Sequence, residues 1–419
     1  MLQSDNQEKQ EFSDLSKKLT KNITKEEKKN NGIFFTPPST IIKNINILEP
    51  YLSNINTVLE PSCGSCEYLL YLHNYKNRNK KHNKLTELVG IEYNNTIYES
   101  IKEYENTIEG LSLHNMDYLS YNTKKKFDLI IGNPPYFVLK KNMVNKEYYD
   151  YFDGRPNIFI LFIIKSLSLL APDGILSFIL PKSFLNCLYY DKTRKYIYEN
   201  YNILHISECK DDYLDTQQET ILFIIQNSKI QPCIENKNYY LNILDQFTIF
   251  GTIENINKLN NYYQDSKSLK DLGFTVCVGN IVWNQNKSIL TDDASKTLLI
   301  YSSNIQSNTL TIKKYTNDAK KSYINKKGIT GPLLVINRGY GVGDYNFEYC
   351  LINTNKEYLI ENHLICVKYN GEISDDELVK KYKNIIKSLE NIKTKEFVKL
   401  YFGNNAINTT ELCEILPIW

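Results

Sequence analysis

Nowhere in the 419 residues does an uninterrupted apolar run approach the ~20 residues that a helix needs to cross a bilayer, which excludes a helical membrane protein. The stretch 1–31 is polar and rich in Lys and Glu, without the apolar segment of a secretion signal, so the chain is expected to stay in the cytoplasm. The nine cysteines lack framework spacing, and a chain of this length has core enough to do without disulfides; reduced thiols are expected. Cys63 and Cys66 are the one close pair. No second CxxC and no His pair supplies the other ligands of a zinc site, so no metal is expected. A dominant charge is lacking as well: 50 Lys and Arg face 48 Asp and Glu, a formal net charge of +2. That balance neither demands nor excludes nucleic acid, and only clustering of the basic residues on one face would decide. No internal repeat is visible.

What is present reads as a globular α/β chain. Hydrophobic residues make up 42% and charged residues 23%, and the length suits two domains of roughly 150 to 250 residues each. Short β-branched and apolar runs at 57–60, 88–92, 111–114, 127–131, 174–180, 204–208 and 220–226 alternate with helical stretches, the pattern of a mostly parallel sheet with crossover helices. The segment 157–170 is apolar on every side and ends at Ala171-Pro172-Asp173-Gly174, which predicts a buried helix packed on that sheet. After 236 the regularity fades. Strands at 331–336 and 364–368 and helices at 375–389 and 394–402 point to a second, mixed α/β domain. The expected division is a helical or flexible extension at 1–31, a first domain at 32–235 and a second at 236–419.

Three successive strand ends in the first domain offer ligand groups, which is where α/β sheets bind them. Val58-Leu59-Glu60-Pro61-Ser62-Cys63-Gly64 is a strand running into a small-residue loop that lets backbone approach a ligand closely. The strand 88–92 ends on Glu92, whose carboxylate can accept hydrogen bonds from both hydroxyls of a ribose. After the third strand, Asp117 and Tyr118 can hydrogen-bond an adenine amino group and cover its face.

The strand 127–131 then runs into Asn133-Pro134-Pro135-Tyr136, where the prolines hold the amide and the aromatic ring in a stiff extended loop. Methylation of an exocyclic amine needs such a loop, because the nitrogen lone pair is delocalised into the ring and nucleophilically weak. The Asn133 side-chain oxygen and the Pro134 carbonyl can each accept one amino hydrogen and draw the nitrogen toward tetrahedral character, while Tyr136 stacks on the extruded base. No general base of unusual pKa is required.

On these residues the chain resembles the γ-class of DNA adenine-N6 methyltransferases, the TaqI-like modification methylases, strongly from Gly32 to Ser228 and loosely after that. The resemblance implies a Rossmann-like class I methyltransferase domain, S-adenosylmethionine as cofactor and a C-terminal target-recognition domain on double-stranded DNA. It implies cofactor contacts from Thr36 in the segment Gly32-Ile33-Phe34-Phe35-Thr36-Pro37-Pro38, from Glu60, Pro61, Ser62 and Cys63, from Glu92, from Asp117 and Tyr118, and from Asn133 and Phe162. Tyr213 is implied as a second aromatic against the flipped base. One departure is that Ser65, Cys66 and Glu67 stand where the family often has small residues, which narrows the cofactor loop.

In the second domain Trp283, Gln285, Lys287 and Arg338 are residue types that wedge, read base edges or hold phosphates, and are equally at home in packing or on a plain surface. The same tetrapeptide serves enzymes that modify RNA or glutamine side chains of proteins, so DNA follows from the Gly32–Pro38 segment and the large second domain, not from 133–136 alone. A non-catalytic DNA-binding module has no need of an intact Asn133, Tyr136 and Glu92. The residues before Gly32 are too few for a nuclease domain, so a cognate endonuclease is expected as a separate protein, beside a monomeric methylase.

Overall fold

The computed structural model describes residues 11–79, 83–211, 213–228, 238–313, 315–317, 319–337, 348–402 and 407–419. The chain divides into two compact units, Met1–Ile256 and Asn257–Trp419.

In the first unit, helices α1 (Asp14–Asn22), α2 (Lys25–Asn31) and α3 (Pro38–Leu48) precede β1 (Thr57–Glu60). Helix α1 starts where Ser13 accepts the Ser16 amide, and α2 where Thr24 accepts the amide of Glu27. Gly32 ends α2 in the left-handed conformation at φ 65°, which a residue without a side chain adopts at no steric cost. Pro38 sits at the first position of α3, where a missing amide hydrogen costs nothing.

Next come α4 (Glu67–Arg78), β2 (Glu87–Glu92), α5 (Asn95–Ile101), β3 (Leu111–Asn115), β4 (Phe127–Gly132), α6 (Ile158–Leu169), β5 (Leu170–Pro181), α7 (Asp191–Asn200), β6 (Asn202–Cys209) and β7 (Thr220–Gln226). The seven strands form one sheet in the order β3-β2-β1-β4-β5-β7-β6. All neighbours from β3 to β5 are parallel, and β7 alone runs against its two neighbours. The order reverses between β1 and β4, so the loops leaving those two strands diverge from one crevice, the place where open α/β sheets take ligands. Asp128 fixes this pair by accepting the amides of Asn56 and Thr57 at 2.9 and 3.0 Å.

Ten of the twelve residues of α6 are buried, as an apolar segment on all sides requires. Burying each large side chain there stabilises by roughly 1.5–3 kcal/mol. The strand expected at 174–180 begins earlier, at Leu170, because Asp173 adopts φ 60° and lets the chain turn within the strand.

The first unit extends past residue 235. A hairpin of β8 (Leu241–Leu244) and β9 (Phe247–Phe250) is tied to it by Arg194, a fully buried residue of α7. The Arg194 guanidinium donates to the carbonyls of Thr248, Phe184 and Cys187 and pairs with Asp191 at 3.2 Å. The expected boundary near 236 therefore differs from the observed division at Ile256, since nothing in the linear pattern marks a hairpin held by one arginine.

The second unit is built on strands β10 (Phe274–Val278), β11 (Leu290–Thr291), β12 (Thr297–Ile300), β13 (Ile305–Gln306), β14 (Thr309–Leu310), β15 (Tyr323–Ile324), β16 (Ile329–Asn337), β17 (Tyr349–Ile360) and β18 (Leu364–Tyr369). Seven of them form a sheet in the order β10-β18-β16-β17-β12-β15-β11, antiparallel except for the β12–β17 pair. Helix Asp375–Glu390, opened by a reciprocal Ser374–Glu377 cap, packs on this sheet through Tyr382, whose hydroxyl donates to the Val367 carbonyl at 2.8 Å. Helix Ile392–Tyr401 follows it. No described helix is long and apolar enough to cross a membrane.

Candidate active site

A cavity of about 430 Å³ opens beyond the carboxyl ends of β1, β2, β3 and β4, within the size range of small-molecule sites. Its wall includes Pro61, Ser62, Glu92, Asp117, Tyr118, Asn133 and Phe162, so residues expected from five separate segments come together. A smaller pocket of about 40 Å³ is lined by Thr36, Glu60, Ser62, Cys63 and again Asn133. Asn133 thus borders both.

Glu92 is buried at the end of β2. One carboxylate oxygen accepts the Gly64 amide at 2.9 Å and the other the Asn94 amide at 2.7 Å, which leaves the carboxylate acceptor capacity for a hydroxyl in the cavity. Burial pushes its carboxyl up to about 7 against these donors. Asp117 caps the turn Tyr118–Ser120 by accepting the Leu119 amide with one oxygen. Tyr118 is buried beneath it, its hydroxyl 2.8 Å from Ser166 Oγ and its ring 4.9 Å from that of Phe162; together the two rings present an apolar surface for a flat ligand.

Glu60 is buried with Oε2 lacking any hydrogen-bond partner, and burial, with Cys66 and Glu92 nearby, raises its carboxyl well above the ordinary range. A buried acceptor in this position suits a cationic amino group. The ribose-type acceptors on Glu92, the aromatic wall and the unsatisfied Glu60 therefore fit the three ends of S-adenosylmethionine. The Cys63 thiol faces inward, since a side chain at Gly90 would lie 3.1 Å from its sulfur, and its backbone is paired within the fold, the amide donating to the Ile91 carbonyl at 2.9 Å and the carbonyl accepting the Cys66 amide at 2.7 Å. The loop stays open despite Ser65-Cys66-Glu67, because Gly64 and Cys66 take left-handed φ of 52° and 67° and turn the chain into α4.

The Asn133 side-chain nitrogen donates to the Phe34 carbonyl at 3.4 Å and to Thr36 Oγ1 at 3.3 Å, and the Asn133 backbone carbonyl accepts from Ser62 Oγ at 3.1 Å. That fixes where the side-chain oxygen points. The Pro134 carbonyl accepts no hydrogen bond from the described residues. Tyr136 is placed otherwise than a free stacking platform: it lines neither pocket, its hydroxyl approaches Asn133 Oδ1 at 2.5 Å and the Ile179 carbonyl at 2.7 Å, and its ring meets Phe159 edge-on at 6.0 Å. Burial first, then the neighbouring Tyr213, Cys209 and Tyr68, raises its phenol. Tyr213 is half-buried near Thr220, 3.4 Å between hydroxyls, and lines neither pocket.

Several lining residues carry no signal in the sequence. Phe35, Met116 and Ile158 look like ordinary core positions, while Asn94 carries a legible signal as the N-cap of α5, accepting the Ile97 amide at 3.1 Å. The reason for a glycine at Gly32 is also spatial. A Cβ there would lie 2.8 Å from the Pro135 Cβ and 2.9 Å from the Tyr136 backbone nitrogen, so the end of α2 is pressed against the Asn-Pro-Pro-Tyr loop.

In the second unit Trp283 is half-buried against a cluster containing Ile281, Leu299 and Tyr301, whereas Gln285 and Lys287 are exposed. Arg338 lies outside the described residues. Among the described residues no group of three His, Cys, Asp or Glu side chains could hold a metal ion.

A mostly parallel seven-stranded sheet, ligand groups at successive strand ends and an Asn-Pro-Pro-Tyr loop at the switch point define a methyltransferase of the class I kind. Residues 3–214 match the Eco57I restriction-modification methylase family. The chain is 26% identical over 417 residues to the type II methyltransferase M.CvrRI of Paramecium bursaria Chlorella virus XZ-6E, covering 96% of this chain and 98% of that one. It is likewise 26% identical over 421 residues to the modification methylase CviBIII of Paramecium bursaria Chlorella virus NC1A, covering 98% and 99%. Among solved structures, the type I restriction-modification system methyltransferase subunit from Streptococcus thermophilus aligns with a TM-score of 0.40 at 18% identity, over 55% of this chain and 53% of that one. The chain belongs to the Eco57I restriction-modification methylase family; it is a site-specific DNA methyltransferase that uses S-adenosylmethionine.

Proposed function

We propose that the methylated atom is the N6 nitrogen of an adenine extruded from duplex DNA. The observation that carries this reading is the fixed Asn133 amide. Its nitrogen is occupied by Phe34 and Thr36 and its oxygen accepts the Tyr136 hydroxyl with one lone pair, so the second lone pair is the acceptor offered to a substrate, next to a Pro134 carbonyl with no partner among the described residues. Two acceptors side by side suit an amino group with two hydrogens. S-adenosylmethionine, when bound, supplies an electrophilic methyl group.

The chain's own residues do the rest. Asn133 and Pro134 hold the amino nitrogen and turn its lone pair toward the methyl, Glu92 anchors the ribose hydroxyls, Glu60 takes the amino group at the other end, and Tyr118 with Phe162 cover the cofactor adenine. Tyr136 keeps Asn133 in orientation through its hydroxyl, and stacking of its ring and that of Tyr213 on the target base would require both rings to leave the packing they have here. In the second unit Trp283, Gln285, Lys287 and Arg338 contact the DNA. The same proposal has the enzyme acting as a monomer beside a separate endonuclease, which mass measurement in solution and an assay for cleavage by the purified chain would test.

Transfer of labelled methyl to parallel pools of duplex DNA, RNA and protein, with the modified residue identified by mass, tests the chemistry. N6-methyladenine in DNA is expected. A methylated cytosine overturns the adenine assignment, and label in RNA or protein overturns the duplex substrate.

A further inference from the structure

Residues 281–330 hold eight lysines and three aspartates, a net charge of +5, in a chain whose total is +2. Within this segment lies an aromatic cage that no family motif marks. Lys320 Nζ stands 4.2 Å from the ring centre of Tyr301, 4.4 Å from that of Tyr315 and 5.9 Å from that of Trp283. Lys287 Nζ approaches Trp283 as well, at 5.6 Å.

The cage is stiff. Tyr301 is buried and donates to the Lys321 carbonyl at 2.8 Å, Tyr315 donates to Asn304 Oδ1 at 3.0 Å, and their rings meet edge to face at 5.1 Å. Cages of this kind hold cationic ligands, but here the chain fills the cage with its own lysine. The neighbouring Lys321 is paired with Asp292 at 2.7 Å, whereas Lys320 makes no ion pair among the described residues. Its ammonium is partly stripped of water, and burial lowers its pKa against the pull of Glu361. An internal brace needs no charge at this place, since an apolar side chain would fill the rings at less desolvation cost. A half-buried cation with no ion-pair partner among the described residues, in a segment of net charge +5, is prepared for an anion from outside.

We propose that Lys320, held by Trp283, Tyr301 and Tyr315, clamps a phosphate of duplex DNA, the rings removing the rotamer freedom that a lysine otherwise loses on binding. The assignment rests on the reading of this chain as a duplex-DNA enzyme. A phosphate contact carries no sequence information, so its signature is salt dependence and equal weakening on any sequence.

The test is binding of the full chain to a labelled random-sequence duplex across a salt series. Lys320→Gln is expected to weaken binding several-fold and to flatten the slope of log Kd against log salt by about 0.9, the release of one phosphate's counterions. Lys320→Arg, which keeps charge and ring stacking, is expected to retain the slope. Tyr315→Leu is expected to weaken binding while keeping the slope, because the charge remains but its placement is lost. A Lys320→Gln slope equal to that of the unmodified chain, with or without a lower melting temperature, makes the cage a brace and overturns the proposal. Undiminished affinity in Tyr315→Leu also overturns it, even where Lys320→Gln fails to fold. Failure of the unmodified chain to bind duplex at all sinks the underlying DNA reading instead, a result the variants cannot mimic.

Discussion

The two units each rest on a seven-stranded sheet, yet they present ligand-binding groups in different ways. In the first, parallel neighbours send β1, β2, β3 and β4 toward the same edge, so a few side chains and backbone amides at strand ends converge on one cavity. In the second, mostly antiparallel neighbours alternate direction and their ends point to opposite edges; its distinctive chemistry among the described residues is a set of lysines and rings between 281 and 330.

The sharpest way to break this comparison is at Asn133. Asn133→Ala is expected to lower kcat by roughly 10²–10³ while calorimetric affinity for S-adenosylhomocysteine stays nearly unchanged; a parallel loss of both would move Asn133 from the substrate side to the cofactor side. The glycines come next. Gly32→Ala forces a side chain at φ 65° into Pro135 and the Tyr136 backbone, and is expected to cost about 1–3 kcal/mol in thermal unfolding together with lost methyl transfer. Gly331→Ala in the second unit has φ 86° but meets only Asp375 carboxylate atoms at 3.4 Å or more, and is expected to cost about 1 kcal/mol, with transfer kept. Equal effects on transfer would mean that the α2 end does not shape the loop.

A third expectation concerns pH. Glu92, raised to about 7 by burial, is protonated in the free protein below that value. Its folded pKa exceeds the unfolded one, so its contribution to stability is full below about 4.5 and is lost as pH rises through 7. Ribose hydroxyls favour the carboxylate, so binding of S-adenosylhomocysteine should release up to one proton near pH 6 and weaken by up to about tenfold per unit on further acidification. Calorimetry in buffers of different ionisation enthalpy measures this, and proton release that persists unchanged in Glu92→Gln assigns it to another group. The smallest effect is at Tyr136. Tyr136→Phe removes one hydrogen bond to Asn133 and Ile179 and is expected to lower kcat/KM by roughly two- to tenfold, less than Tyr136→Ala, which also loses the ring. Unaltered kinetics in the phenylalanine variant would make the hydroxyl inert, and identical losses in both variants would leave the ring without a role.

The first sheet is legible in the sequence nearly strand by strand, because strands buried on both faces read as continuous apolar runs: Thr57–Glu60 and Thr220–Gln226 lie where periodicity puts them. The residues around the cavity are legible for the related reason that they sit at strand ends. Tyr136 is the instructive case, since its residue type suggests a stacking surface while its hydroxyl is fixed by Ile179, forty-three positions away, which no linear pattern reveals. The second sheet is legible only at β16 and β18. Its long partner β17 alternates buried and exposed residues among Asn, Thr and Lys, and β11 and β15 are two residues each. The cage around Lys320 draws on Trp283, Tyr301 and Tyr315, whose spacing follows neither a helix nor a strand.

The contact of Gly32 with Pro135 and Tyr136 bears on when the enzyme becomes competent. The loop takes its shape from Gly32, its amide anchors from Phe34 and Thr36, and its aromatic tether from Ile179. A nascent chain on the ribosome thus carries every residue of the Asn-Pro-Pro-Tyr loop well before it can hold that loop in working form. Synthesis must pass β5 before the site closes on itself, so fragments ending at β4 would be inert however much sheet they had formed.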